Sequence, residues 1–238
     1  ARIVEESGDS RYNAATKTLT MTYGGVEASL SAEDVTPVDG LVIWSSSDTA
    51  VTDIWWGSSG DIHIEAKGAG TATVSLKSSN GNTLDSITVI VEPMPLMVNG
   101  EFEVENKVYD GSADAFITAT STLSLDTSGC IDAANLTANF AATFSDPDVG
   151  QDKAVSLGAS TLSGSAAGNY VLDLDSAPAT TATITPKELT VAGSFTAQGK
   201  AYDGTTNAAI ATDDLTLIGR VGSDDVTLIP VLAFDTPD

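Results

Sequence analysis

The chain has 238 residues, with 33 acidic against 10 basic side chains, a formal charge of −23 and 42% hydrophobic content. So acidic a surface argues against nucleic acid, whose binding needs lysine and arginine against phosphate. No apolar run reaches the ~18 residues that a membrane helix requires. Cys130 is the only cysteine and His63 the only histidine, which rules out an intramolecular disulfide and a multi-histidine metal site.

Almost every segment reads as strand: Val-, Ile-, Thr- and Leu-rich stretches alternate with Gly, Asn, Asp and Ser clusters, the all-β pattern. Ala1-Arg2-Ile3-Val4-Glu5 reads as a strand rather than a secretion leader. Lys17 to Thr22 alternates with period two. In Thr71 to Leu76 the residues Ala72, Val74 and Leu76 share one face, predicted to point inward, and Ile87, Val89 and Val91 form a further inward set. Asp61 to Glu65 alternates likewise and places His63 opposite Ile62 and Ile64, as a solvated side chain. A Ser-His-Asp arrangement would have to use His63 with a serine set against it.

Val42-Ile43-Trp44-Ser45-Ser46-Ser47-Asp48, Ala50-Val51 and Lys67-Gly68-Ala69-Gly70-Thr71-Ala72-Thr73-Val74 follow one another with the spacing of a known module. On these stretches residues 1–92 resemble the bacterial immunoglobulin-like group 2 family. The resemblance implies a β-sandwich held by packing alone, with Trp44 as a structural residue filling the space between the sheets. Trp55 and Trp56 are not explained by it. If Ile54 points inward, Trp55 points outward and Trp56 inward again, before Gly57-Ser58-Ser59-Gly60 turns the chain. Both are candidate ligand-binding residues: an outward tryptophan stacks on a sugar ring or a partner surface, or covers the edge of its own sheet.

Pro93-Met94-Pro95 and Pro186 mark expected seams, because proline donates no backbone N–H and does not suit mid-sheet positions. Three modules follow: 1–92, 93–186 and 187–238. The linkers between them span only a few residues, which favours a stiff, elongated array. Small-angle scattering is then expected to give a radius of gyration well above the ~18 Å of a compact chain of this length.

The last two modules repeat each other. Lys107-Val108-Tyr109-Asp110-Gly111 returns 93 residues later as Lys200-Ala201-Tyr202-Asp203-Gly204. Pro93, Leu96, Val98, Gly100 and Phe102 return as Pro186, Leu189, Val191, Gly193 and Phe195. With Phe144-Ser145-Asp146-Pro147-Asp148-Val149-Gly150, Leu162-Ser163-Gly164, Asn169-Tyr170 and Ala182-Thr183-Ile184-Thr185-Pro186, these residues resemble the YDG family of bacterial surface repeats. That resemblance implies an extracellular, adhesin-like tandem repeat without catalysis, folded as a β-sandwich or, second, in a β-grasp-like arrangement. Read by itself, Asp-Gly is a hairpin turn signal. The tyrosine before it can bury its ring and reach a backbone group, and Lys107 can pair with Asp110 across the turn. Tyr109, Asp110, Gly111, Tyr202, Asp203 and Gly204 are therefore structural candidates.

Phe234-Asp235-Thr236-Pro237-Asp238 aligns with Phe144 to Asp148, and the counterpart of residues 149–186 is missing from the second copy. The expectation is an incomplete module, with residues 187–238 less ordered or completed by strand exchange with a neighbouring molecule. Asp146, Asp148 and Asp152 are a candidate calcium loop, though without the EF-hand spacing; otherwise they form a solvated turn. No other cofactor is implied. The functional expectation is a non-catalytic spacer and adhesive segment, extracellular, contacting a host or matrix protein or a glycan. A carbohydrate-binding array using Trp55 is the alternative.

Overall fold

β-Branched residues at alternate positions, with glycine and aspartate turns between them, drive the described residues into short strands. A computed structural model describes residues 1–5, 11–36, 41–57 and 61–236. Among them the chain is all-β, with two single 3₁₀ turns, at Ala133–Asn135 and Ala167–Asn169, and no α-helix. The β-grasp-like alternative, which needs a helix packed on its sheet, is not formed by these residues. Contacts divide the chain into two compact units. One contains Ala1–Phe102, Ala119–Ala142 and Leu157–Ala179, the other Glu103–Thr118, Thr143–Ser156 and Thr180–Asp238. Residues 93–186 contribute strands to both.

In the first unit the leading strands are β1 (Arg2–Glu5), β2 (Tyr12–Asn13), β3 (Thr18–Thr22), β4 (Ala28–Glu33), β5 (Val42–Ser46), β6 (Thr52–Trp56), β7 (Ile62–Ala66), β8 (Gly70–Ser78) and β9 (Thr83–Glu92). They form two sheets, ordered β1-β4-β7-β6 and β2-β3-β9-β8-β5. The expected inward sets hold: Ala72, Val74 and Leu76, and Ile87, Val89 and Val91, are buried with Leu30, Ile62 and Ile64 of the facing sheet. Trp44 lies opposite Leu76 in the β5–β8 ladder and joins this core. Its indole N–H meets no acceptor among the described residues.

The same unit continues through β10 (Met94–Asn99) after Pro93 alone. Pro95 lies inside β10 rather than at a seam, paired with Val171. The strand tolerates it because its other edge is paired only at Val98 and Asn99. Those partners belong to β13 (Ser124–Leu125), after β11 (Lys107–Val108) and β12 (Asp114–Ala115) of the second unit. β14 (Thr137–Asn139) pairs with β17 (Thr161–Ser163), and β10 pairs in parallel with β18 (Tyr170–Asp173); β15 (Ala142–Phe144) and β16 (Gly150–Ser156) lie between them in sequence. Leu96, Ala166 and Tyr170 join the hydrophobic cluster of the leading strands, so one core runs past Glu92 without a linker.

In the second unit β11, β19 (Thr180–Thr185), β16, β15 and β12 form one sheet in that order. The Asp110–Gly111 turn therefore does not close a hairpin: β11 and β12 lie at opposite edges, and the turn carries the chain between them. The repeat follows with β20 (Thr190–Ala192), β21 (Phe195–Ala197), β22 (Asn207–Ala208), β23 (Ile210–Asp213), β24 (Thr216–Ile218) and β25 (Leu232–Ala233). β20 pairs with β24 as β10 pairs with β13: Val191 faces Leu217 as Val98 faces Leu125. The Phe234 N–H donates to the Thr206 carbonyl as that of Phe144 donates to Ala113, at 2.7 and 2.8 Å. No side chain among residues 187–236 is buried. Ser58, Ser59 and Gly60 of the turn after Trp56, and Pro237 and Asp238, lie outside the described residues.

Candidate functional site

The YDG motif is built around its lysine. The Lys107 ammonium pairs with Asp110 Oδ1 at 2.8 Å and donates to the carbonyl oxygens of Ser112 and Asp114, at 2.8 and 3.0 Å. It stands 5.8 Å from the centre of the Phe144 ring, within cation–π reach. Asp110 also accepts the Ser112 N–H at 2.8 Å, and Gly111 turns the chain at φ +81°. The second copy repeats most of this: Lys200 pairs with Asp203 at 2.8 Å, donates to the Thr205 carbonyl at 2.8 Å and stands 5.8 Å from the Phe234 ring. Asp203 accepts the Thr205 N–H at 2.9 Å. The lysine in each case, followed by these backbone donors, holds the Asp110 and Asp203 carboxyls down at about 2.

Tyr109 behaves differently from the expectation of a backbone partner. Its hydroxyl donates to Asp224 Oδ1 of the repeated segment at 3.3 Å, and that bond, followed by partial burial, raises its pKa. Beside it, a Cβ placed on Gly111 would stand 3.0 Å from Val221 Cγ1. Tyr202, the same motif position, is 78% exposed, and Gly204 faces open space.

A second tyrosine–aspartate joint closes the first unit. Tyr23 follows β3 and donates to Asp132 Oδ2 at 3.1 Å, and Tyr170, opening β18, donates to Asp132 Oδ1. The two rings meet edge to face, 5.4 Å apart at 89°. Both are buried, and that burial, followed by the Asp132 bonds, raises both hydroxyl pKa values. The Asn169 side-chain oxygen accepts the Ala69 N–H at 2.9 Å, tying the same places together. Asp132 and Asp224 are not among the residues predicted from the sequence as tyrosine partners. The available signal was their matched position, each seven residues after the repeated strand residue, Leu125 or Leu217.

On the outer face of β6 and β7, Trp55 stacks on His63 with ring centres 5.7 Å apart and 20° between planes, and remains 37% exposed. Trp56, expected inward, is 58% exposed. The reason is its place at the end of an edge strand, where the facing sheet no longer covers it. His63 lies opposite Ile62 and Ile64 as expected, but it is not simply solvated. Its Nδ1 is 3.1 Å from Ser29 Oγ and 3.8 Å from Glu27, and its Nε2 is 3.4 Å from Asp61. A serine and an acid therefore flank the imidazole. Ser29 nevertheless sits within β4, one residue past its start, not at a helix start where backbone N–H groups converge on an oxyanion.

The candidate calcium loop has a cation of its own: Asp146 Oδ1 accepts from the Lys153 ammonium and from the Asp148 N–H. Lysine leads the causes that lower the Asp146 pKa. Asp152 lies at φ +49° where the β16–β19 register shifts. Among the described residues, no three acidic, histidine or cysteine side chains gather as a metal site. Cys130 packs against the core as a part-buried thiol.

Comparison with known proteins finds the YDG domain twice, over residues 92–181 and 185–238. No curated protein matches the chain.

Proposed function

This chain belongs to the YDG domain family, and we propose that it is a non-catalytic structural and adhesive segment of a larger bacterial surface or secreted repeat protein. In this reading residues 1–92 form a bacterial immunoglobulin-like group 2 domain, residues 93–186 and 187–238 are two YDG modules, and all three lie outside the cell. The observation that carries it is how the segments meet. One hydrophobic cluster continues from the leading strands into β10 and β18, and each passage is closed by a tyrosine hydroxyl on an aspartate. Joints of that kind suit a spacer that must hold direction rather than hinge. The acidic surface supports an exposed, solvated role.

A second reading has its own observation. The exposed Trp55, backed by His63, and the neighbouring Trp56 offer the aromatic faces on which sugar rings stack. A panel of glycans and matrix proteins, read with the wild type and with Trp55→Ala, separates the two. Glycan binding lost in the variant establishes the carbohydrate-binding reading, and its absence from both chains leaves the structural one. An ester-hydrolysis assay with His63→Ala tests the non-catalytic claim: turnover by the wild type that the variant loses would overturn it.

A further inference from the structure

The two motif copies have the same internal geometry and opposite surroundings. Lysine, aspartate, phenylalanine and the turn glycine superimpose in role, down to the 2.8 Å ion pair and the 5.8 Å ring distance. Beyond one further lysine bond in the first copy, to the Asp114 carbonyl, it is the outward parts that differ. Tyr109 and Gly111 meet Asp224 and Val221 of the following YDG segment, while Tyr202 and Gly204 meet nothing comparable. The turn they would need is also repeated. Asp132 and Asp224 each stand seven residues past a leucine that pairs with the first strand of its module. Each is taken by a tyrosine from the segment before, Tyr23 or Tyr109. An aspartate-bearing turn that receives a tyrosine is thus seen at both of its occurrences. The tyrosine that receives no turn is seen once.

We propose that the tyrosine and glycine of the YDG motif form a docking surface for the aspartate-bearing turn of another YDG module, and that Tyr202-Asp203-Gly204 is an open copy of it. The occupant is defined by chemistry. It presents a carboxylate to accept the Tyr202 hydroxyl and a small apolar side chain, as Val221 does, to lie on the Gly204 backbone. The motif glycine serves this contact twice over. It turns the chain at positive φ, +81° and +74° in the two copies, and it leaves no Cβ between the backbone and the docked residue. The ion pair between lysine and aspartate fixes the turn from behind, so that the tyrosine is presented at a set angle.

The test uses the full chain and a version in which residues 149–238 are repeated after Asp238, in the register of the Phe144 and Phe234 stretches. Tetranitromethane nitrates accessible tyrosines, and mass spectrometry locates the products. In the full chain Tyr202 is expected to react at least about tenfold faster than Tyr109, since protection follows closure of the site. In the extended chain Tyr202 is expected to slow to the rate of Tyr109. Replacing the aspartate of the added module by alanine, the change Asp224→Ala in the repeated segment, is expected to restore fast nitration, and Asp224→Asn there to keep most of the protection. Equal Tyr202 reactivity in the full and extended chains overturns the proposal. So does protection that survives Asp224→Ala, because burial by the added strands alone would then account for it.

Discussion

Replacing Asp132 by alanine removes one acceptor from two buried donors, the hydroxyls of Tyr23 and Tyr170. A buried donor left without a partner costs about 1–3 kcal/mol. Asn169 meets the Tyr23 hydroxyl as a donor to its oxygen, which lowers the pKa, so it does not replace the lost acceptor. The loss expected is therefore about 3 kcal/mol, against about 1 kcal/mol for Tyr23→Phe, which removes donor and cost together. A chain of several segments does not unfold in two states, so the measurement is local: hydrogen exchange at the end of β3 and along β10 and β18, as a function of urea. A double-mutant cycle between Asp132→Ala and Tyr170→Phe completes it, with a coupling of at least about 1 kcal/mol expected. Opening energies within about 0.5 kcal/mol of wild type, with strict additivity, would refute the argument that this aspartate holds the joint.

Three further outcomes follow from the same contacts. The raised hydroxyl pKa values of Tyr23 and Tyr170 mean that the folded state holds these protons more tightly than the unfolded chain. Their stabilisation is complete below pH ~10 and is lost as the pH rises beyond it. An ultraviolet tyrosine titration with parallel unfolding should show this, and the loss should shrink in Tyr170→Phe. Asp110 and Asp203, held at about 2, act with the opposite sign. Their contribution is complete above the ordinary aspartate pKa of ~3.9 and disappears as the pH falls toward 2, so carboxyl NMR should find both titrating late and Lys107→Ala should return Asp110 to the ordinary range. Gly100 turns at φ +103°, and a Cβ there would stand 2.4 Å from the Thr122 carbonyl oxygen. Gly100→Ala is therefore expected to lower the local opening energy at the end of β10, read by hydrogen exchange, by about 2 kcal/mol or more.

Much of the architecture could be read from the residues. Alternation alone set the inward faces of β8 and β9, because a half-buried sheet writes its register into every second side chain. The repeat identified Gly100 and Gly193 as a pair, and both turn at φ +103°. Other features resisted for physical reasons. Asp-Gly reports a local turn, but whether it joins neighbouring strands or the two edges of a sheet depends on pairing with distant segments such as β19. Trp56 follows strict alternation, yet it lies where its sheet runs out, and period says nothing about cover. Ser29 and His63 are 34 residues apart in sequence and meet only because β4 and β7 pair in one register. Asp132 and Asp224 sit in irregular chain, where no period marks them; only their equal distance from repeated leucines does.

The proposal that this chain is a non-catalytic spacer held by tyrosine–aspartate joints is tested most directly by pulling it between its termini in a single-molecule force experiment. The account predicts discrete unfolding events in the wild type. It also predicts that Asp132→Ala and Asp224→Ala each lower the force of one event and leave the others in place. Smooth extension of the wild type at low force, unchanged by either substitution, would contradict it.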